Sequence, residues 1–321
     1  MSAHPPLGRP VFEPADRIPA LAALRDAVRL KDRDALAAVF EALPDEDDRA
    51  VACRVVAGRS GSELFLRQIV GGDPLDPLDR TLLADRLIHI GWEIRSDYQA
   101  QHVSQRQFEE FHGYLRRAEG LLIEVCAEHP EYALAWYLRT ITSRGLQLGL
   151  SETRRRYDRL AEHHPHHYAG QQQLLQQLCP KWGGTWEAAH GFAEECAKAA
   201  PAGAPNGALV AVAQMEQYLS LVEGEGKRTA ETYLRAPENH ERLLAAAAGS
   251  ALHPAARTDA YAYVGAHNAF AAVHSAAGRP AEAAPHFRAL GDRACEFPWG
   301  YLDNDHEAAF VRHRKTALAK G

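Results

Sequence analysis

The sequence predicts an all-α protein, an α-solenoid of stacked antiparallel helix pairs. Three observations predict it. Apolar residues recur in alternating steps of three and four along several segments, the signature of one buried stripe on a helix. Strand formers are sparse: none of the seven isoleucines follows Ile141, while alanine, leucine, arginine and glutamate dominate. Prolines that close one helix and open the next recur at Pro130, Pro165 and Pro201, 35 and 36 residues apart. That spacing suits a helix–turn–helix repeat whose units hide their apolar faces against their neighbours.

Taken in order, residues 1–18 read as an extended N-terminal segment and 19–321 as a single helical-repeat domain. Residues 19–90 read as helix pairs of looser pattern, as in ALAALRDAVRLKDRDALAAVFEALP. The IRSDYQAQH stretch then interrupts two strong helices, and polar loops on rigid scaffolds often carry function, which makes Arg95, Tyr98 and His102 candidates. Phe108, Phe111, Leu115, Ala118, Leu122 and Val125 form the next stripe, followed by Leu134, Leu138, Ile141, Gly145 and Leu148. Trp186, Ala189, Ala193, Cys196 and Ala200 make a third stripe, and Ala208, Val212, Met215, Leu219 and Val222 a fourth. Between Gly224 and Pro254 the register breaks, with glycines and prolines that predict short helices and a sub-boundary or a cap.

In CPKWGGTWEAAHGF (Cys179–Phe192), Pro180 ends a helix and Gly183-Gly184 allow the turn. Thr185 is placed to cap the helix that Trp186 begins. Lys181 and Trp182 are left on the outer side of the turn, and Trp182 is expected to pack on the preceding repeat.

Near the C-terminus, NAFAAVHSAAGRPAEAAPHFRAL (Asn268–Leu290) resembles a tetratricopeptide repeat. Gly278 would sit at the turn, Ala283 at the small packing position and Phe287 at the aromatic position. FHGYLRRAEGLL, the HPHHY turn (His164–Tyr168) and PKWGGTWEAAHGFAEECA (Pro180–Ala197) resemble an uncharacterised family of bacterial tetratricopeptide-like proteins. The resemblance spans about two thirds of the chain; it implies a right-handed superhelix of about seven or eight helix pairs around a groove, and no agreed activity.

Seventeen histidines are the compositional feature that invites chemistry. EHHPHHY (Glu162–Tyr168) reads as an exposed turn, with His163 and His164 at a helix C-terminus, because metal ligands would have to converge. Glu187-x-x-His190, Asp303-x-x-His306 and Glu282-x-x-x-His286 lack the second motif and the extra glutamates of a di-iron bundle. Tyr263, His267, Phe270 and His274 share one stripe opposite a small-residue face; the stripe faces either a neighbouring helix, as packing residues, or the groove, and lining the groove is its functional reading. Arg154-Arg155-Arg156 with Arg159, and RHRK (Arg312–Lys315), read as solvated helix faces.

A net charge of −6 argues against a general grip on nucleic acid. The five scattered cysteines, with no C-x-x-C pair, support neither a disulfide framework nor a cysteine zinc site. The apolar run Leu243–Ala248 falls far short of the ~20 residues that cross a bilayer, and MSAHPPLGRPVFEPADR lacks the form of a secretory signal. A cytoplasmic location is the expectation. No phosphate-binding or nucleophile-elbow motif is present. The expected function is therefore non-enzymatic binding of a protein or peptide on the concave face, with no cofactor, metal or catalytic set. The groove candidates are Tyr263, His267, Phe270, His274, Arg95, Tyr98, His102, Lys181, Trp182 and His190. The alternatives are an enzyme or small-molecule binder using a His/Trp/Tyr-lined pocket inside the superhelix, and an oligomerisation module, which would make the chain a homo-oligomer.

Overall fold

The computed structural model describes residues 8–16, 18–72, 76–95, 104–257 and 260–321. Among these there are seventeen α-helices and no β-strand. The chain divides into two compact units: an N-terminal unit, Ile18–Gly184, and a C-terminal unit, Thr185–Gly321 joined by the described residues before Ile18.

The N-terminal unit holds α1 (Pro19–Leu30), α2 (Arg33–Ala42), α3 (Glu46–Ala57), α4 (Ser62–Gly72), α5 (Pro77–Arg95), α6 (Gln105–Glu128), α7 (Ala133–Gly145), α8 (Leu150–His163) and α9 (Tyr168–Leu178). The stripe expected on α6 is its buried face, since Phe111, Leu115, Ala118, Leu122 and Val125 are closed to solvent. The α7 stripe ends with the helix: Gln147 turns to a φ of 56° and Leu148 is 44% exposed. Pro130 and Pro165 each follow the residue that ends a helix, His129 after α6 and His164 after α8.

From α5 to α9, each helix packs on the next, and α5, α7 and α9 also touch in sequence. α3 lies against all three of them. It is fixed there by side chains: the Asp47 carboxylate accepts the N–H groups of Tyr168 (3.1 Å) and Ala169 (2.9 Å) at the start of α9. Arg54 pairs with the fully buried Asp85 of α5.

One network ties α6, α7 and α8 together. Glu119 of α6 accepts from Arg139 of α7 (3.1 Å) and Arg156 of α8 (2.9 Å), and Thr142 donates to it as well. Arg156 also donates to the Arg139 carbonyl at 2.7 Å and to Glu152 at 2.7 Å. The arginine run is thus solvated only at Arg154, Arg155 and Arg159. Arg156 is 3% exposed, because one residue further along a helix turns the side chain by about 100°. The histidine turn divides in the same way. His163 is exposed, while His167 is buried as the N-cap of α9, its Nδ1 accepting the Gly170 N–H at 2.9 Å.

The C-terminal unit holds α10 (Trp186–Ala199), α11 (Ala208–Gly224), α12 (Lys227–Arg235), α13 (Pro237–Gly249), α14 (Tyr261–Ala276), α15 (Pro280–Leu290), α16 (Glu296–Leu302) and α17 (His306–Lys320). Thr185 caps α10, its hydroxyl accepting the Ala188 N–H at 3.1 Å, and Pro201 follows the end of that helix. The broken register at 224–254 forms the short pair α12 and α13. Gly278 takes a φ of 73° at the α14–α15 turn, and Ala283 and Phe287 are fully buried beyond it. Phe287, Trp299 and Phe310 form the aromatic centre, with ring centroids 5.4–5.6 Å apart. The N-terminal segment closes over this unit. Val11 donates to Asp292 O (2.8 Å), accepts from Ala294 N–H (2.9 Å), and Arg9 forks onto Glu307 (2.8 and 3.0 Å). Arg314, one of the RHRK residues expected to be solvated, is 3% exposed and donates to Gly8 O and Gly291 O.

Candidate functional site

The open site lies in the C-terminal unit, where α10 faces α12 and α13 across α11. Trp186, His190, Glu194 and Lys198 step by four along α10, so one polar edge looks over the groove. Thr185 and the glycine pair before it determine where that edge starts. A Cβ on Gly184 would meet the Leu178 carbonyl at 2.0 Å, so only glycine fits the turn.

At one end, His190 Nε2 is 2.6 Å from Oε1 of Gln217 and 3.2 Å from the Tyr233 hydroxyl. Trp186 tilts against the same ring, 6.4 Å between centroids. Burial lowers the His190 pKa; the Gln217 hydrogen bond opposes this, while Arg242 adds to it. The ring is therefore neutral at neutral pH, a donor or acceptor rather than a charge. Burial likewise raises the Tyr233 phenol, which keeps its proton.

At the other end the groove opens into a pocket of about 320 Å³. Small residues make its walls and floor: Ala197, Ala204, Gly207, Ala245, Ala246 and Gly249. Glu194 and Arg242 pair across its rim at 3.3 Å, and Lys198 stands beside them. The Gly207 backbone runs so close to α13 that a Cβ there would meet Ser250 Oγ at 2.5 Å and Ala246 O at 2.6 Å. An apolar floor with a charged rim is the arrangement of a binding cleft.

The sequence-predicted candidates separate sharply. His190 lies in the groove. Tyr263, His267, Phe270 and His274 do not line an open surface: all four are buried, at 7%, 4%, 0% and 1% exposure. The reason is that α14 is enclosed by α11, α15, α16 and α17, so its polar stripe and its small-residue stripe are both covered. The Tyr263 hydroxyl is satisfied by Gly203 O at 2.6 Å. Trp182 and Lys181 belong to the N-terminal unit, in the turn after α9. Trp182 is half-buried with the Arg144 guanidinium 5.5 Å over its ring, and its carbonyl accepts from Gln177; Lys181 is exposed. Arg95 ends α5 and lies over Trp92 at 5.6 Å. Tyr98 and His102 lie outside the described residues.

The structure adds two histidines to the buried pair. His286 of α15 sits between His267 and His274, its Nδ1 3.0 Å from that of His267 and its ring stacked 5.9 Å from His274. His240 of α13 continues the row, 6.1 Å from His274. Phe270 stacks on His286 at 5.0 Å. Among the described residues, no group of three or more His, Cys, Asp or Glu side chains is arranged to hold a metal. The spacing Glu282-x-x-x-His286 does not reveal the ring partners of His286, which come from α14.

No family model matches the chain, and no curated protein matches it. The groove must therefore be read from its own chemistry. Nor does any helix among the described residues have the length and apolarity to cross a membrane.

Proposed function

We propose that the chain is a non-enzymatic helical-repeat scaffold that holds a segment of a partner protein in the α10–α13 groove. The observation that carries this reading is the open pocket of about 320 Å³, whose small-residue floor lets a peptide backbone approach closely and whose rim offers Glu194, Lys198 and Arg242 for register. A tetratricopeptide-like solenoid of antiparallel pairs is part of the proposal. It is supported by the packing of each helix on the next from α5 to α9 and from α10 to α13, and by the turns that Pro130, Pro165 and Pro201 mark.

The test is capture of a partner from host extract by the full chain and by Ala245→Trp. Ala245 is exposed and lines the groove, so tryptophan fills the groove from outside the core. Loss of the captured protein at an unchanged melting temperature is the expected result. Capture that ignores the substitution moves the interface elsewhere, and repeated capture of nothing removes the reading.

A second reading, small-molecule binding, has one observation in its favour: Trp186, His190, Gln217 and Tyr233 converge at the other end of the groove. Native mass spectrometry distinguishes it. A stoichiometric small molecule that the wild type retains and His190→Ala loses would favour this reading over the first.

A further inference from the structure

A second pocket, of about 300 Å³, lies within the N-terminal unit between α2, α3 and the starts of α5 and α7. Ala37, Phe40, Leu78 and Leu134 give it apolar walls, and Tyr132 adds a second aromatic ring. Five charged side chains line it as well: Arg33, Arg49, Glu41, Glu46 and Asp76. We propose that this pocket binds a cation carried on an apolar stem, a primary ammonium or guanidinium group at the end of a short alkyl chain.

Both guanidiniums at the pocket are already paired. Arg33 is held by Asp76 and, through Nε at 3.1 Å, by Asp79. Arg49 is held by Glu46 at 2.5 Å and donates to the Phe40 carbonyl at 3.3 Å. Neither guanidinium is left to attract an anion.

The positive helix ends are answered too. Asp76 accepts the N–H groups of Leu78 (2.8 Å) and Asp79 (3.1 Å) at the start of α5, and Asp45 accepts the Asp48 N–H (2.8 Å) at the start of α3. At the start of α7, Ala133 and Leu134 are 2% and 1% exposed, which closes their amides to a ligand. What remains is negative. Three carboxylates face two guanidiniums, with Asp79 behind Arg33. Glu41 is exposed, and among the described residues no ion pair engages it. It also belongs to the last turn of α2, where the carbonyl end of the helix adds partial negative charge.

An ammonium group beside Glu41 would place its alkyl stem along Leu78 and Leu134, with Phe40 and Tyr132 offering aromatic surface to it. A neutral chain of the same length gains only the apolar contact, and an anion meets the excess carboxylates. The cation could belong to a lysine or arginine of a polypeptide or to a free amine, and the experiment separates these sources.

The probes are Nα-acetyl-lysine amide, n-pentylamine, Nα-acetyl-norleucine amide and Nα-acetyl-glutamate amide, titrated into the full chain. The readout is NMR shifts of the Tyr132 ring and the Leu78 and Leu134 methyls. The two cations are expected to shift these signals saturably, more weakly as salt is raised, while the norleucine and glutamate amides do not. Tighter binding of the capped lysine identifies a polypeptide as the source; tighter binding of pentylamine identifies a free amine. Glu41→Gln should weaken the cation by about 2–5-fold and Glu41→Lys by about tenfold or more. Because Glu41 is exposed, circular dichroism should show both variants folded. Binding of norleucine or glutamate amide as tight as that of the lysine probe overturns the proposal. So does the absence of saturable shifts at these residues, or a folded Glu41→Lys chain that binds the cation as before.

Discussion

The two units bury polar groups in opposite ways. In the N-terminal unit the Glu119 carboxylate, 8% exposed, is answered by two guanidiniums and a hydroxyl from two other helices. In the C-terminal unit four histidines from three helices make a row of ring contacts instead, and both ring nitrogens of His274 and Nε2 of His286 are buried without a hydrogen bond. The first solution keeps its charges and needs every partner present. The second keeps three of its rings, His267, His274 and His286, uncharged at neutral pH. Burial lowers His267 to about 4 with help from Arg293, and lowers His274 to about 4 with help from His240 and Arg279. His286 falls well below 6.5, through burial and then its neighbours His267 and His274. One network should therefore be broken by removing a partner, the other by adding protons.

The largest effect is expected from Glu119→Ala. It leaves Arg139 and Arg156 facing each other without their shared carboxylate, in a site where both are nearly closed to solvent. Loss of one member of such a buried set costs about 3–5 kcal/mol. Denaturant unfolding should show it, with hydrogen exchange locating the loss in α6, α7 and α8. Glu119→Gln keeps the acceptor but not the charge and should fall between. If Glu119→Ala unfolds like the wild type, the network is not what holds those helices in register.

Much of this arrangement was legible from the sequence, and the failures share one cause. Stripes and proline breaks depend on neighbours along the chain, so α6, α7, α10 and α11 and their turns could be read directly. The sign of a polar stripe could not. Tyr263, His267, Phe270 and His274 were correctly grouped on one face of α14, but whether that face meets solvent depends on α15, α16 and α17, which return to it later in the chain. Arg156 was hidden in a run that looked uniformly solvated. The available signal was Glu119, which sits on the apolar stripe of α6, four residues after Leu115 and three before Leu122. A carboxylate in that register demands buried cations, and a helix two further on supplied one. The neighbourhood of His190 and Trp186 follows from their spacing of four on α10, a local relation.

Acidification should act on the C-terminal unit next. The groups facing the histidine row are Glu282, 3.9 Å from His240, and Arg279 and Arg293 at the two ends of α15. Only the glutamate among them is an acid. His267 and His274 have folded pKa values lowered from 6.5 to about 4, so the unfolded chain binds more protons between these limits. Stability is full above about 6.5 and falls as the pH drops towards 4, by about 3 kcal/mol for one such ring. The rings share His286, so their losses do not add. Hydrogen exchange at pH 7 and pH 5 should show α14 and α15 opening first. Equal protection at both values would mean that the rings titrate without structural consequence.

The smallest effect, and the sharpest test of the contrast, is His286→Phe. Phenylalanine has a similar shape, already has Phe270 to stack on, and removes a buried nitrogen that no partner satisfies. The change relieves the unsatisfied Nε2 but leaves the buried Nδ1 of His267 without its partner, so at pH 7 the cost should stay within about 2 kcal/mol. Its signature lies in the pH dependence. His267 loses the Nδ1 of His286 that stands 3.0 Å away, and His274 loses its stacked neighbour, so the two rings no longer share a proton balance. The drop in stability between pH 6.5 and 4 should become shallower than in the wild type. A steeper drop would show that His286 protects the row rather than transmitting charge through it, and the analogy with Glu119, in which the central residue governs its neighbours, would then hold for the charged network alone.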